Sequence, residues 1–253
     1  MIRFSDLDRA SALGRLARWP LRLVPRSARV RVLQGPMRGA MWQVGSGPHG
    51  YWLGSYESHV QAAMVQWIRE GDVVFDIGAN VGFMTILASR LVGARGHVVA
   101  FEPEPRNLER LRRHCSWNHS ANVRILEAAV SSGSGEGRLS AARGSSVAGL
   151  DPLGEVEVRL VAIDALVQSR ELPPPRFMKI DVEGHEVSVL KGAHETISSS
   201  QPVVVLAAHG SARASECRDL LEAVGYEVGW LGDGLSSGLG EMIAVPASRR
   251  TGT

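Results

Sequence analysis

The fold is decided by the stretch Val73-Val74-Phe75-Asp76-Ile77-Gly78-Ala79-Asn80-Val81-Gly82, in which an apolar run leads directly into a glycine-rich turn. A short β-rich run bounded by glycines is typical of a buried parallel strand. Residues 85–91 follow as an apolar segment that favours a helix. A strand, a tight turn and a helix in this order are typical of a nucleotide-binding unit, because the start of the helix offers unpaired N–H groups to a ligand.

Strands and helices alternate along the rest of the chain. We predict strands at residues 98–101, 123–128, 177–182 and 203–208, and helices at residues 57–69, 107–118, 186–190 and 213–224. This alternation predicts an α/β fold with a mostly parallel, doubly wound sheet and helices on both faces. The last two strands, near residues 226–231 and 242–245, are predicted to form a terminal antiparallel hairpin. Residues 136–140 and 155–162 could form another hairpin.

The length of 253 residues suits one large α/β domain better than two. We expect a helical and extended N-terminal segment over residues 1–50 and the main domain over residues 51–253. Residues 5–24 resemble a short helix with Arg15, Arg18 and Arg22 near one face. It either packs on the domain or rests on a membrane surface. No apolar run approaches the roughly 20 residues that cross a bilayer.

Charge and cysteine content argue against a nucleic-acid-binding protein and against a fold held together by disulfides. A formal net charge of +2 is too small to indicate a nucleic-acid partner. Cys115 and Cys217 lie far apart and in no metal-ligand or redox spacing. This usage fits a reducing compartment, so we expect a cytoplasmic protein.

An acidic residue at the end of the second predicted strand strengthens the nucleotide interpretation. Glu102, followed by Pro103, lies where the ribose hydroxyls of a bound nucleoside are expected. Asp76 would repel the pyrophosphate of NAD, whereas it would attract the ammonium and sulfonium groups of S-adenosylmethionine. Asn80 can adopt a left-handed conformation where other nucleotide loops use glycine. The residues therefore favour S-adenosylmethionine, with an NAD-dependent oxidoreductase as the alternative.

Polar residues crowd the end of a later strand, in the run Lys179-Ile180-Asp181-Val182-Glu183-Gly184-His185-Glu186. Ligands of open α/β sheets bind beyond the carboxyl ends of the strands, so we expect this run to face the substrate. Asp181 and His185 are candidates for a general base, and Glu183 for orienting the acceptor. The carboxylates could instead cap a helix or bind a divalent cation. Two carboxylates are thin evidence for a cation, so we assign no metal ligand.

These motifs together resemble the FkbM family of methyltransferases. The matching segments are residues 54–57, 76–82, 101–105 with Asn107 and Leu108, 128–131, 163–164 and 179–186. The resemblance spans roughly residues 50–209. It implies a class I methyltransferase fold with a terminal antiparallel strand and S-adenosylmethionine as donor. It also implies O-methylation of a hydroxyl on a sugar, a polysaccharide or a secondary metabolite.

The resemblance also assigns residues to the cofactor. The methionine portion would be held by Asp76, Gly78, Asn80 and Gly82, the ribose by Glu102 with Pro103 beside it, and the adenine by Ala128 and Ala129 at the end of the third strand. The family often has a glutamate before a histidine after the strand at residues 203–206, but this chain has Ala207-Ala208-His209. His209 is then an isolated candidate. A catalytically impaired protein that still binds S-adenosylmethionine is a further alternative.

Overall fold

A computed structural model describes residues 23–140, 149–151, 153–232 and 240–250. The chain divides into two compact units, Met1–Ser58 and His59–Thr253. This division lies a few residues beyond the expected one at residue 50, and the assignment of the function to residues 51–253 stays a prediction. The predicted basic helix falls almost wholly on residues 1–22, which lie outside the described residues. Within the described ranges, no helix combines the length and the apolar character that crossing a membrane requires.

The N-terminal unit contains two short strands and a helical turn. Strands β1 (Arg29–Arg31) and β2 (Met41–Gln43) pair antiparallel, and helix α1 (Gly50–Leu53) follows. The ring of Trp42 packs against Tyr51 with the ring centroids 5.2 Å apart. Gly54 ends α1 at φ 81°, where a Cβ atom would lie 2.0 Å from the Gln34 carbonyl oxygen. Glycine is therefore required at this turn.

The second unit alternates strands and helices along the chain. Its strands are β3 (Val73–Ile77), β4 (His97–Phe101), β5 (Val123–Leu126), β6 (Ala129–Val130), β7 (Gly135–Ser140), β8 (Gly149–Leu150), β9 (Val156–Val161), β10 (Phe177–Ile180), β11 (Val203–Ala208), β12 (Tyr226–Trp230) and β13 (Gly240–Pro246). Its helices are α2 (Ser58–Trp67), α3 (Phe83–Val92), α4 (Pro105–Trp117), α5 (Ile163–Gln168), α6 (Glu186–Lys191), α7 (His194–Ser200), α8 (Ser211–Glu222) and α9 (Ala247–Arg250). Apart from the end of β5, the predicted elements are confirmed, with boundaries that shift by a few residues.

Seven of these strands form the main sheet in the order β12-β13-β11-β10-β3-β4-β5. Neighbours are parallel except β13, which is antiparallel to both β11 and β12. The doubly wound sheet and the terminal hairpin are therefore confirmed. The chain leaves β3 toward β4 on one side, and β10 lies on the other side of β3. The polar segments after β3 and β10 thus meet at a switch point of the sheet, where open α/β sheets bind their ligands.

The central strands form the core. Val74, Phe75 and Ile77 of β3 have no exposed surface, and neither do Phe177 and Met178 of β10. Such uninterrupted burial is expected of parallel strands that carry helices on both faces. It fixes the positions at which their carboxyl ends project the functional residues.

A smaller four-stranded sheet has the order β6-β9-β7-β8. Strands β7 and β9 pair antiparallel as predicted, although β8 lies between them in the chain and pairs with β7 as well. The predicted strand over residues 123–128 is wrong in part, because β5 ends at Leu126 and Ala129 starts β6 in the smaller sheet. A tight turn, in which the Ala128 amide donates to the Leu126 carbonyl at 2.9 Å, separates the two strands.

Candidate active site

The glycine turn after β3 has a left-handed backbone at three positions. Gly78 has φ 79°, Asn80 has φ 50° and Gly82 has φ 94°, so the left-handed conformation predicted for Asn80 is confirmed. A Cβ atom on Gly78 would lie 1.8 Å from the Asp181 carbonyl oxygen, and one on Gly82 would lie 2.5 Å from Leu111 Cδ1. Glycine at these positions lets the turn approach the segment after β10 and lets α3 begin against α4.

Asp76 lies beneath this turn and is almost fully buried. The Thr85 hydroxyl donates a hydrogen bond to Asp76 Oδ2 at 2.5 Å, and Lys179 Nζ lies 3.9 Å from Oδ1. Burial raises the pKa of the Asp76 carboxyl, against the opposing effects of Lys179 and Thr85. The carboxylate therefore ties the start of α3 and β10 to β3.

Glu102 follows β4 and is 4 % exposed. Its Oε2 accepts a hydrogen bond from the Asn80 amide at 2.7 Å. Its Oε1 accepts from the Glu104 amide at 2.9 Å and from Asn107 Nδ2 at 3.3 Å. Burial raises the pKa of Glu102 to about 7, although these donors lower it. The turn after β3 thus supplies an amide that fixes the carboxylate at the end of β4.

Glu104 and Asn107, at the start of α4, donate to Glu102, a role that the sequence predictions above do not give them. Glu104 precedes Pro105 and caps α4 by accepting from the Asn107 amide at 3.0 Å. An acidic residue before proline at the first helical position is a recognised start signal, so the sequence contained this clue. Buried His114 contacts the Val81 carbonyl oxygen through Nδ1 at 2.7 Å, and burial lowers its pKa to about 4.

A cleft opens above these strand ends, lined by both apolar and polar residues as small-molecule sites are. The predicted cofactor residues that line it are Gly78, Asn80, Glu102, Pro103, Ala128 and Ala129. Asp76 and Gly82 are not among the lining residues, and their contact with a ligand stays a prediction. Leu139 of β7 and Leu150 of β8 add apolar surface from the smaller sheet. Asp181, Glu183 and His185 also line this cleft, as expected for residues that face a substrate.

Two of the cleft residues after β10, Asp181 and His185, have different polar neighbours. Lys179 Nζ lies 3.0 Å from Asp181 Oδ2, so this buried lysine stands between Asp181 and Asp76. His185 Nε2 lies 3.3 Å from the Ser131 hydroxyl. Burial lowers the pKa of His185, so its imidazole is neutral near pH 7. A neutral imidazole can accept a proton, whereas the Asp181 carboxylate is already engaged by an ammonium group.

His209 is not isolated, contrary to the expectation from the sequence. Its Nδ1 lies 2.7 Å from Oε1 of Glu186, and its Nε2 lies 3.3 Å from Oε2 of Glu183. Glu186 is fully buried, and its Oε1 also accepts from the Gly184 amide at 2.8 Å. The hydrogen bond to Glu186 raises the pKa of His209, and burial raises that of Glu183. The expectation failed because Glu186 of α6 does not neighbour His209 in the sequence, and the pairing of β10 with β11 brings them together.

Comparison with known proteins identifies the family. Residues 76–228 match the model of the methyltransferase FkbM domain, which covers more than half of the chain. The chain is 33 % identical over 153 residues to hexuronic acid methyltransferase AglP of Haloferax volcanii, over 59 % of this chain and 61 % of that protein. It is 29 % identical over 162 residues to 31-O-demethyl-FK506 methyltransferase FkbM of Streptomyces tacrolimicus, over 51 % of this chain and 62 % of that one. The chain thus spans about three fifths of the length of these relatives.

Solved structures support the fold. Methyltransferase FkbM from Methylobacillus flagellatus superposes with a TM-score of 0.51 at 17 % identity, over 78 % of this chain and 53 % of that one. Precorrin-6y C5,15-methyltransferase from Geobacter metallireducens gives a TM-score of 0.50 at 18 % identity, over 76 % of this chain and 90 % of that one. With the strand order described above, these likenesses confirm the class I methyltransferase fold. From the family match over residues 76–228, the chain belongs to the FkbM family of methyltransferases.

Proposed function

We propose that this chain transfers a methyl group from S-adenosylmethionine to a hydroxyl of a sugar, a glycan or a secondary metabolite. The observation that carries the proposal is the cleft itself. Its lining combines the buried carboxylate of Glu102, after β4, with Asp181, Glu183 and His185, after β10 on the other side of β3. A nucleoside and a polar acceptor can therefore be held side by side.

The donor side of the cleft fits a nucleoside with an attached cation. Glu102 Oε2 accepts one described hydrogen bond, from Asn80, so it retains a lone pair for a ribose hydroxyl. Pro103, Ala128 and Ala129 supply apolar surface for the base. Gly78 and Asn80 bring backbone to the cleft where the methionine portion is expected. S-adenosylmethionine supplies an activated methyl group on a sulfonium when it is bound.

The acceptor side supplies the proton acceptor. An alcohol loses its proton during methylation, and a positioned general base contributes about 10² to 10⁴-fold to such a step. His185 is our first candidate, because its lowered pKa favours the neutral imidazole, which can accept a proton. Asp181 is the second candidate, since its carboxylate also lines the cleft. Glu183 would orient the acceptor, and alignment by these residues supplies much of the remaining rate.

The acceptor class rests on the relatives and on the smaller sheet. One relative is named for a hexuronic acid and the other for position 31-O of a demethylated FK506. Leu139 and Leu150 give the cleft an apolar wall beside the polar residues after β10. A small molecule or glycan with both polar and apolar surface would match this lining. Both cysteines are free and buried, which is compatible with the cytoplasmic location that we propose.

Titration calorimetry tests the proposed donor. The protein should bind S-adenosylmethionine and its demethylated product, S-adenosylhomocysteine, and should bind NAD much more weakly. The same preparation should then methylate a hydroxylated sugar acid when it is screened with a labelled methyl donor. Tighter binding of NAD than of either sulfur compound would overturn the proposal in favour of an oxidoreductase.

A further inference from the structure

We propose that Asp181, Glu183 and His209 form a binding site for one first-row divalent cation at the acceptor end of the cleft. The three side chains offer two carboxylate oxygens and one imidazole nitrogen, all within 4.8 Å of one another. Each side chain is partly exposed, so an ion can reach it from solvent. The role of this cation in methyl transfer rests on the proposed function, whereas the binding itself does not.

The spacing of these ligand atoms is compatible with a shared metal ion. Neighbouring ligands around an octahedral ion with bonds of about 2.1 to 2.2 Å lie roughly 3 Å apart, and opposite ligands lie about 4.3 Å apart. Glu183 Oε2 and His209 Nε2 lie 3.3 Å apart, at the spacing of neighbouring ligands. The limit of 4.8 Å for the set requires only a small side-chain movement toward a common ion.

The buried carboxylate of Glu186 is the second observation. Glu186 is fully buried and holds His209 Nδ1 at 2.7 Å. Metal-bound histidines almost always donate their other ring N–H to a carboxylate or a carbonyl, which fixes the tautomer and directs the remaining nitrogen at the ion. Here Nε2 is directed toward Glu183. Glu186 Oε2 is buried and accepts no hydrogen bond within the described ranges, so the charge of this carboxylate is only partly balanced by hydrogen-bond donors.

Local charge favours a cation at this position. Three carboxylates, those of Asp181, Glu183 and Glu186, surround His209. Lys179 contacts Asp181 at 3.0 Å, but it is shared with Asp76. The Arg213 guanidinium donates to the His209 carbonyl oxygen at 2.7 Å. A divalent ion would balance the remaining negative charge where desolvation makes it costly.

The ligand set indicates the class of ion. Oxygen ligands alone would suit Mg²⁺ or Ca²⁺, whereas an imidazole favours Mn²⁺, Fe²⁺, Co²⁺ or Zn²⁺. Three protein ligands leave positions for water or for the acceptor. A hydroxyl oxygen bound at such a position would become more acidic, and His185 in the same cleft could take its proton. Under this proposal Asp181 serves as a ligand, and His185 remains the general base.

Manganese titration tests the site directly. The full chain, freed of metal with a chelator, should bind one Mn²⁺ per chain. Calorimetry measures this binding, and so does the loss of the electron paramagnetic resonance signal of free Mn²⁺. Mg²⁺ should compete only at much higher concentration. Spin-echo spectra of bound Mn²⁺ should show coupling to one nitrogen, and the His209→Ala variant should lose it. Absence of stoichiometric binding, or binding without nitrogen coupling, would overturn the proposal.

Variants locate the ion within the cleft. Asp181→Asn, Glu183→Gln and His209→Ala should each weaken Mn²⁺ binding by about tenfold or more, and Glu186→Gln by about tenfold through His209. His59→Ala is the matched control, because His59 also contacts a carboxylate, Glu241, at 2.7 Å but is outside the set. Circular dichroism establishes that each variant folds. Equal weakening in His59→Ala, or none in the ligand variants, would refute the assignment.

The two proposals fail in different ways. If S-adenosylhomocysteine binds but Mn²⁺ does not, the cation site is wrong and the proposed donor stands. If Mn²⁺ binds with the expected nitrogen coupling but S-adenosylhomocysteine does not, the site stands and the proposed function is wrong. If Mn²⁺ fails to bind and His209→Ala still abolishes turnover, His209 acts on a proton through Glu186 and the cation proposal is overturned.

Discussion

Replacing Glu102 with glutamine removes a charge and keeps the shape of the side chain. The carboxylate is 4 % exposed and accepts hydrogen bonds from two backbone amides and from Asn107. A glutamine has a single acceptor oxygen, so its NH₂ group must face one of these donors or a ribose hydroxyl. We therefore expect Glu102→Gln to fold and to bind the nucleoside more weakly.

The magnitude follows from the hydrogen bonds that depend on the charge. A hydrogen bond to a charged acceptor contributes about 1.5 to 3 kcal/mol, and a neutral one about 0.5 to 1.5 kcal/mol. If one ribose hydroxyl donates to the remaining lone pair of Glu102 Oε2, the variant loses about 1 kcal/mol for that hydrogen bond and about 1 to 2 kcal/mol more for a donor that the NH₂ group leaves unpaired. The expected loss of about 2 to 3 kcal/mol weakens binding by roughly 30- to 150-fold.

The pH dependence gives an independent measurement of the same contact. Because the pKa of Glu102 is about 7 in the free protein, the acceptor form is fully present only above this pH. Wild-type affinity for S-adenosylhomocysteine should fall as the pH drops below 7, by up to about tenfold per pH unit, and binding near pH 7 should release a proton. Calorimetry in buffers with different ionisation enthalpies measures that proton.

Two results would refute this reasoning. Unchanged affinity in the folded Glu102→Gln variant would show that the ribose is held elsewhere. An equal pH dependence in the variant would assign the titration to another group. Glu127→Gln is the matched control, since Glu127 is an exposed carboxylate, paired with Arg112, just beyond β5. It should leave both the affinity and the pH profile unchanged.

Four further predictions concern stability, catalysis and motion. In urea titrations, Gly78→Ala should lower the free energy of unfolding far more than Gly71→Ala. Both glycines have positive φ, but only at Gly78 would a Cβ atom meet backbone atoms. Equal losses in the two variants would contradict this. His185→Ala should lower turnover by about 10² to 10⁴-fold and leave S-adenosylhomocysteine affinity nearly unchanged; near-native turnover would exclude it as the base. The raised pKa of Glu102 contributes stability that is present below pH 4.5 and lost as the pH rises through about 7. The unfolding free energy of the wild type should therefore fall by about 3 kcal/mol relative to that of Glu102→Gln between pH 4.5 and 8. This value comes from a pKa difference of about 2.5 between the folded and unfolded states, at about 1.36 kcal/mol per pKa unit. Parallel curves of unfolding free energy against pH would contradict it. Outside the paired strand β7, residues 131–154 should show low hydrogen-exchange protection without substrate, as expected of an acceptor-binding segment; residues 141–148 and 152 of this stretch lie outside the described residues, and uniform strong protection would count against the prediction.

The fold could be predicted from the sequence because the motifs that determine it each lie within a short stretch of the chain. The apolar run of β3, the turn at Gly78 and the acidic end of β4 are each recognisable within a few residues. The buried parallel strands then leave few alternatives for the order of elements. The boundary error after β5 has the same origin, because residues 123–130 are mostly apolar and nothing local marks the passage from one sheet to the other at Ala128.

The supporting contacts of the site could not be predicted, because they join residues that are distant in the chain. Periodicity places Asp76 at a strand end but does not show that its side chain turns beneath the loop toward Thr85 and Lys179. Composition likewise gives no sign that Glu186 is fully buried against His209. The contacts of both carboxylates depend on how distant strands pair, namely on the register of β10 with β3 and with β11.

The Gly78 contact links the two halves of the proposed reaction. Gly78 belongs to the turn on the proposed donor side, while the Asp181 carbonyl that excludes a Cβ there begins the segment on the proposed acceptor side. Any larger residue at position 78 must push these two segments apart. Methyl transfer depends chiefly on alignment of the reacting atoms, and a displacement of about 1 Å can cost about 100-fold in rate. Glycine at this position therefore acts twice, because it shapes the donor turn and also sets its distance from the residues that would hold the acceptor.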